Sequence, residues 1–178
     1  MTLRAVVVGG GIGGIAAAVA LARAGIDVGL YEQAQQLTEV GAGVSLAPNG
    51  LRMLERLGVG EGIRRLGARY AASELRLPDG REVPHEPYQF SLPGQNTGIH
   101  RADLLGLLAG QLPPGTVRTG YRCTGFRQDD TSATAVFADG TTAPADVVIG
   151  ADGIHSVLQA SWSLRRNPYS PGWWPTGA

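Results

Sequence analysis

The chain has 178 residues, 43% of them apolar, with 15 basic and 15 acidic side chains and a formal net charge of zero. That balance excludes the concentrated positive field that nucleic acids and anionic membranes require, and the length suits one domain with a sizeable core. Every basic residue is arginine, which excludes a P-loop or Schiff-base lysine, and Cys123, the single cysteine, excludes an internal disulfide.

The first element is a β-branched run, Val6, Val7 and Val8, suited to a buried parallel strand. Glycines follow at Gly9, Gly11 and Gly14, the spacing G-x-G-x-x-G. Strong helix formers run from Ile12 to Ala24, and Gly25 is a helix stop. "IDVGLYE" then reads as a second strand, Asp27 to Tyr31, ending at Glu32, 18 positions after Gly14. A basic residue followed by apolar and small residues also describes a secretory leader. A leader has no use for three glycines at fixed spacing and an acid-ended strand, so the nucleotide-binding reading wins. Gly10 and Gly14 form G-x-x-x-G as well, but in an apolar run too short for a membrane dimer.

Each piece has a physical reason. Gly9 permits a tight turn, Gly11 lets the backbone approach a pyrophosphate, and Gly14 allows close helix–strand packing. The helix start, with the amides of Ile12 and Gly13, turns its positive end toward phosphates. Glu32 can accept hydrogen bonds from both ribose hydroxyls. These features suit adenosine diphosphate, which NAD and FAD share.

Further along, "EVGAGVSLAPNGLRMLERLG" predicts a glycine loop at Gly41, Ala42 and Gly43, a short strand through Leu46, and a helix from Pro48 to Leu57. A second helical piece covers Glu61 to Leu66. "ASELRLPDGREVPHE" alternates around Pro78-Asp79-Gly80, a hairpin signal. "HRADLLGLLAGQLPPG" reads as an amphipathic helix closed by two prolines. The stretch from Thr116 to Gly153 reads as a β-meander and then a buried strand, Asp146 to Ile149, ending in Gly150-Ala151-Asp152-Gly153. The β-rich part disfavours an NAD-dependent dehydrogenase, whose domain continues with alternating strands and helices. The three histidines lack metal-ligand spacing, and no apolar run reaches the roughly 20 residues of a membrane span.

Three motifs in order, the glycine triplet with Glu32, "HRADLL" with Arg101, and "GADGIHS" with Asp152 and Gly153, resemble the flavoprotein aromatic hydroxylases. These are single-component FAD-dependent monooxygenases that include salicylate-hydroxylase-like enzymes. The likeness runs over roughly residues 3 to 159, and "GAGVSLAPNG" resembles the family's segment beside the flavin. It implies an α/β, Rossmann-like FAD-binding domain of the glutathione-reductase type with a β-meander insertion. Gly9, Gly11 and Gly14, with Ile12 and Gly13, would take the pyrophosphate of FAD, and Glu32 and Gln33 the adenosine ribose. Gly41, Ala42 and Gly43 would border the isoalloxazine, and Arg101 would lie along the cofactor. Cys123, on the strand after the "HRADLL" helix, falls where the family places a backbone contact near the adenine. Asp152 and Gly153 form a motif implicated in FAD and NAD(P)H binding. In intact relatives NAD(P)H is the reductant and a small aromatic ring the substrate, in the cytoplasm, with no nucleic-acid or membrane partner. No side chain is an evident acid–base catalyst.

The family's members are considerably longer. All three tryptophans, Trp162, Trp173 and Trp174, crowd into "SWSLRRNPYSPGWWPTGA" with three prolines and no periodicity. The expected organisation is therefore an incomplete FAD-binding domain over residues 1–158 and an irregular tail over 159–178. A truncated or frameshifted reading frame would explain the tail, with a short partner-binding segment as the alternative. The whole could then be a catalytic module or a non-catalytic remnant.

Overall fold

The computed structural model describes residues 2–37, 42–70, 76–82 and 96–163. The chain opens with β1 (Arg4–Val8), α1 (Ile12–Arg23) and β2 (Asp27–Glu32). Strand β1 is buried along Ala5 to Val8 and pairs parallel to β2, with Val7 beside Leu30. Burial of each valine contributes about 1.5–3 kcal/mol. Helix α1 ends where Ala24 and Gly25 return their amides to Ala20 and Ala22, with Gly25 at φ +79°.

Next come β3 (Gly43–Leu46), α2 (Pro48–Arg56), α3 (Gly60–Leu66), β4 (Ala68–Tyr70), β5 (Asn96–His100) and α4 (Arg101–Ala109). Strands β3, β5 and β4 form an antiparallel sheet in that order. Of the expected hairpin, an Arg76–Glu82 bridge and a turn with Gly80 at φ +86° are present. The flanks at 71–75 and 83–95 lie outside the described residues. Helix α4 stops at Ala109, short of the two prolines. Gly110 caps it, and Gln111 and Leu112 close a turn onto Leu108 and Ala109.

The chain then forms β6 (Val117–Thr119), β7 (Cys123–Gln128), β8 (Ala133–Phe137), β9 (Thr142–Ala145), β10 (Val147–Gly150) and α5 (Val157–Ser163). Strands β7, β8 and β9 make the expected meander. Val117–Thr119 leaves it and extends the first sheet, pairing parallel to β2. The parallel sheet has the order β10-β1-β2-β6. Its outermost position explains why β10 is not the buried strand expected: Val147 is 44% exposed. Helix α5 runs through residues 158 and 159, and residues 164–178 lie outside the described residues.

Two apolar layers sandwich the parallel sheet, as the alternation of β1 demands. Val7 and Leu30 face Ile15, Ala18 and Val19 of α1 and Leu104, Leu105 and Leu108 of α4. Val6, Val8 and Tyr31 face Ala135, Phe137, Ala143 and Ala145 of the meander, and Leu158 of α5. This arrangement sets the carboxyl ends of β1, β2 and β10 side by side, where ligands bind in open parallel sheets.

Candidate functional site

Strand β1 delivers the chain into a turn that only glycine can make. Gly9 stands at φ +109°, its amide bonds to the Tyr31 carbonyl at 2.8 Å, and a Cβ there would strike the Ala151 carbonyl. A Cβ on Gly14 would strike the Gly9 carbonyl, so helix and turn touch through bare backbone. At Gly11 and Gly13 the situation is opposite: no atom lies within 4 Å of where a Cβ would stand. Gly11 is the N-cap of α1, without a side-chain cap and without an acidic residue in the first turn. The first intrahelical bond at this end runs from the Ile15 amide to Gly11, at 3.0 Å. The amides ahead of it have no intrahelical acceptor, and the helix's positive end adds to their pull on an anion.

Glu32, half-buried at the end of β2, faces this turn. Its Oε2 accepts the Gly10 amide at 2.5 Å and its Oε1 accepts the Ala34 amide at 2.7 Å. Each oxygen keeps a lone pair for a further donor. Main-chain bonds from Tyr121 to the Glu32 carbonyl (2.8 Å) and from Gly120 to the Ala34 carbonyl (2.9 Å) fasten the segment. Gln33 is exposed within it. Behind Glu32, Tyr31 stacks on Phe137 at 4.7 Å between centroids, meets Tyr121 edge-on at 5.2 Å, and accepts a 3.1 Å hydrogen bond from Arg118.

A second group forms at the start of α4. The Arg101 amide donates to the Ala42 carbonyl at 3.0 Å, and Gly43 pairs with His100. Packing of α4 on α1 joins this group to the glycine turn. Gly41 lies outside the described residues.

Asp152 and Gly153 follow β10. The Ala151 amide bonds to the Val8 carbonyl at 2.8 Å, and Ala151 sits against Gly9 and Gly14. The Asp152 carboxylate turns to α5, accepting the Ser156 hydroxyl at 2.6 Å and the Val157 amide at 2.8 Å. Cys123 opens β7, two strands after α4 rather than one, because β6 intervenes. Burial pushes its thiol pKa up, a backbone hydrogen bond at Gly125 partly offsets this, and the nearby Asp152 charge adds to the rise; the thiol itself donates to the Gly125 carbonyl at 3.3 Å. It is a poor nucleophile. A cleft of about 700 Å³ runs along β10 beneath Val147 and Leu158, beside the glycine turn rather than in it. Among the described residues no cluster suits a metal ion, and no helix is long and apolar enough to cross a membrane.

The donors that steady Glu32, Gly10 and Ala34, escaped the sequence reading because a backbone amide has no letter of its own. Ser156 had a usable signal: a hydroxyl three residues ahead of Gln159 and four after Asp152.

Residues 2–171 match the family described as FAD binding domain. The chain is 42% identical over 161 residues to 3-amino-4-hydroxybenzoate 2-monooxygenase PtmB3 of Streptomyces platensis, covering 88% of this chain and 41% of that protein. It is 36% identical over 174 residues to salicylate hydroxylase of Pseudomonas putida, covering 89% and 38%. Among solved structures, Klebsiella pneumoniae HpxO complexed with FAD and uric acid superposes with a TM-score of 0.74 at 31% identity, covering 88% and 41%. The chain thus spans about two fifths of the length of these relatives. With residues 2–171 matched, the chain, which sets a glycine turn and an uncapped helix start beside Glu32, belongs to the FAD binding domain family.

Proposed function

We propose that this chain is the FAD-holding part of an NAD(P)H-dependent monooxygenase acting on a small aromatic or heteroaromatic ring, in the cytoplasm. The observation that carries the reading is the pairing of an open phosphate cradle at Gly11–Gly13 with a carboxylate, Glu32, already oriented by the Gly10 and Ala34 amides. The fit to FAD rests on that cradle. The amides at the start of α1 take the pyrophosphate, and Glu32 accepts from the adenosine ribose. Gln33 lies in the turn beside that ribose, and the Cys123 backbone lies toward the adenine. Arg101, Ala42 and Gly43 border the distal half of the cofactor. FAD, when bound, supplies hydride acceptance and oxygen transfer. The chain's own work is to bind and orient the cofactor.

Equilibrium dialysis against FAD, FMN and ADP tests the reading. Contacts concentrated on the adenosine diphosphate half predict binding of FAD, no measurable binding of FMN, and displacement of FAD by ADP. Equal retention of FAD and FMN would overturn it.

A further inference from the structure

We propose that Asp152 and Ser156 form a positioning pair: by capping α5 they hold Ala151–Gly153 against the back of the glycine turn and so set the geometry of the phosphate cradle. The inference rests on the reading of that turn as the pyrophosphate site. Both carboxylate oxygens of Asp152 are engaged by α5. Oδ1 accepts the Ser156 hydroxyl at 2.6 Å, and Oδ2 accepts the Val157 amide at 2.8 Å and the Leu158 amide at 3.3 Å. Ser156 Oγ accepts the Gln159 amide at 2.9 Å, so two side chains satisfy the first three amides of the helix. Anchored this way, α5 places Leu158 in the apolar layer under Val6 and Val8. The cap also fixes the start of the segment it closes. The Ala151 amide is tied to Val8, and its carbonyl and Cβ form the surface on which Gly9 and Gly14 rest. A shift of Ala151 therefore moves the turn whose amides face the phosphates. Asp152 acts through Ala151 and touches no phosphate, since its oxygens face the start of α5. Ser156 is its necessary partner.

The test uses the full 178-residue chain as Ser156→Ala, Ser156→Thr, Asp152→Ala and the Asp152→Ala/Ser156→Ala double variant. Amide hydrogen exchange is followed without ligand and FAD affinity by titration. Loss of one cap is worth about a three- to tenfold change in an equilibrium. Ser156→Ala should accelerate exchange at Gly9 and Ala151 by that factor, leaving Leu30 and Phe137 unchanged, and should weaken FAD binding similarly. Ser156→Thr should restore both, and the double variant should be no worse than Asp152→Ala. Three outcomes would overturn the proposal: FAD affinity lost in Asp152→Ala but kept in Ser156→Ala, which marks a direct ligand; acceleration spread over Leu30 and Phe137, which marks general loosening; or unchanged exchange at Gly9 and Ala151. If the unaltered chain binds no FAD, that failure falls on the cofactor reading, and the exchange arm still decides the positioning role.

Discussion

The carboxylate of Glu32 accepts the amide of Gly10 across a gap of 22 residues, at 2.5 Å. This bond ties the end of β2 to the turn after β1, so the carboxylate proposed for the ribose is joined directly to the turn proposed for the pyrophosphate. The second bond, from Ala34, leaves the carboxylate little rotational freedom before any ligand arrives. Such preorganisation lowers the ordering cost of binding.

Replacing Glu32 should therefore have two effects. Glu32→Ala removes the proposed ribose acceptor and strips the Gly10 and Ala34 amides of their partner. FAD affinity should fall about ten- to a hundredfold, the loss of one or two charge-assisted hydrogen bonds, and the melting temperature should drop as well. Glu32→Gln keeps one acceptor and should lie between. Titration and thermal melts on the same preparations check this; an unchanged dissociation constant in Glu32→Ala would remove the side chain from the site.

The glycines of the turn should divide into two classes. Gly14→Ala drives a methyl into the Gly9 carbonyl, and Gly9→Ala meets the Ala151 carbonyl in a left-handed conformation, so both should unfold the turn or the chain. Gly13→Ala meets open space in a helix and should raise stability by roughly 0.5–1 kcal/mol. Gly11→Val should fold but lose FAD, because its side chain fills the room a pyrophosphate needs. Circular dichroism beside flavin content separates the classes. Full flavin retention in Gly11→Val would show that the open space is not used.

Phe137 is 2% exposed and stacks on Tyr31, bridging the meander to the strand that ends in Glu32. Phe137→Ala should cost about 3–5 kcal/mol of stability. A cost below about 1 kcal/mol in denaturant unfolding would mean that the meander does not brace this strand.

Acid should loosen the meander's turns. Hydrogen bonds from the amide and hydroxyl of Thr131 and from Ser132 lower the Asp129 pKa, and those from the hydroxyl and amide of Thr141 lower that of Asp139. A depressed carboxylate lends stability that is complete above its unfolded pKa and is lost as pH falls through the folded value. Protection of the Thr131 and Thr141 amides should thus persist to a pH below the ordinary carboxylate range and vanish beneath it. Titration of either carboxyl, followed by NMR, at or above its ordinary value would contradict this.

Much of this was legible in the sequence, because it depends on local rules. Val6–Val8, the triplet from Gly9 to Gly14 and the acid at Glu32 sit at fixed spacings, and the structure builds β1, α1 and β2 on them. What escaped depends on pairing between distant segments. Val117–Thr119 has three residues, too few for periodicity to tell a meander strand from a parallel one, and only the free edge of β2 decides. The exposure of β10 likewise reflects its place at the sheet's edge rather than its apolar letters. Asp152 was legible as a motif residue, but its partners Ser156, Val157 and Leu158 appear only once α5 has formed.

We propose above all that the amides at the start of α1, together with Glu32, hold the adenosine diphosphate half of FAD. The most direct measurement is the backbone amide NMR spectrum of the isotope-labelled chain during titration with ADP. Saturable shifts are expected at Gly10, Gly11, Ile12, Gly13 and Ala34, with Thr97 and Ala143 unmoved. Shifts confined to the cleft along β10, or absent at Gly11–Gly13 at saturating ADP, would contradict it.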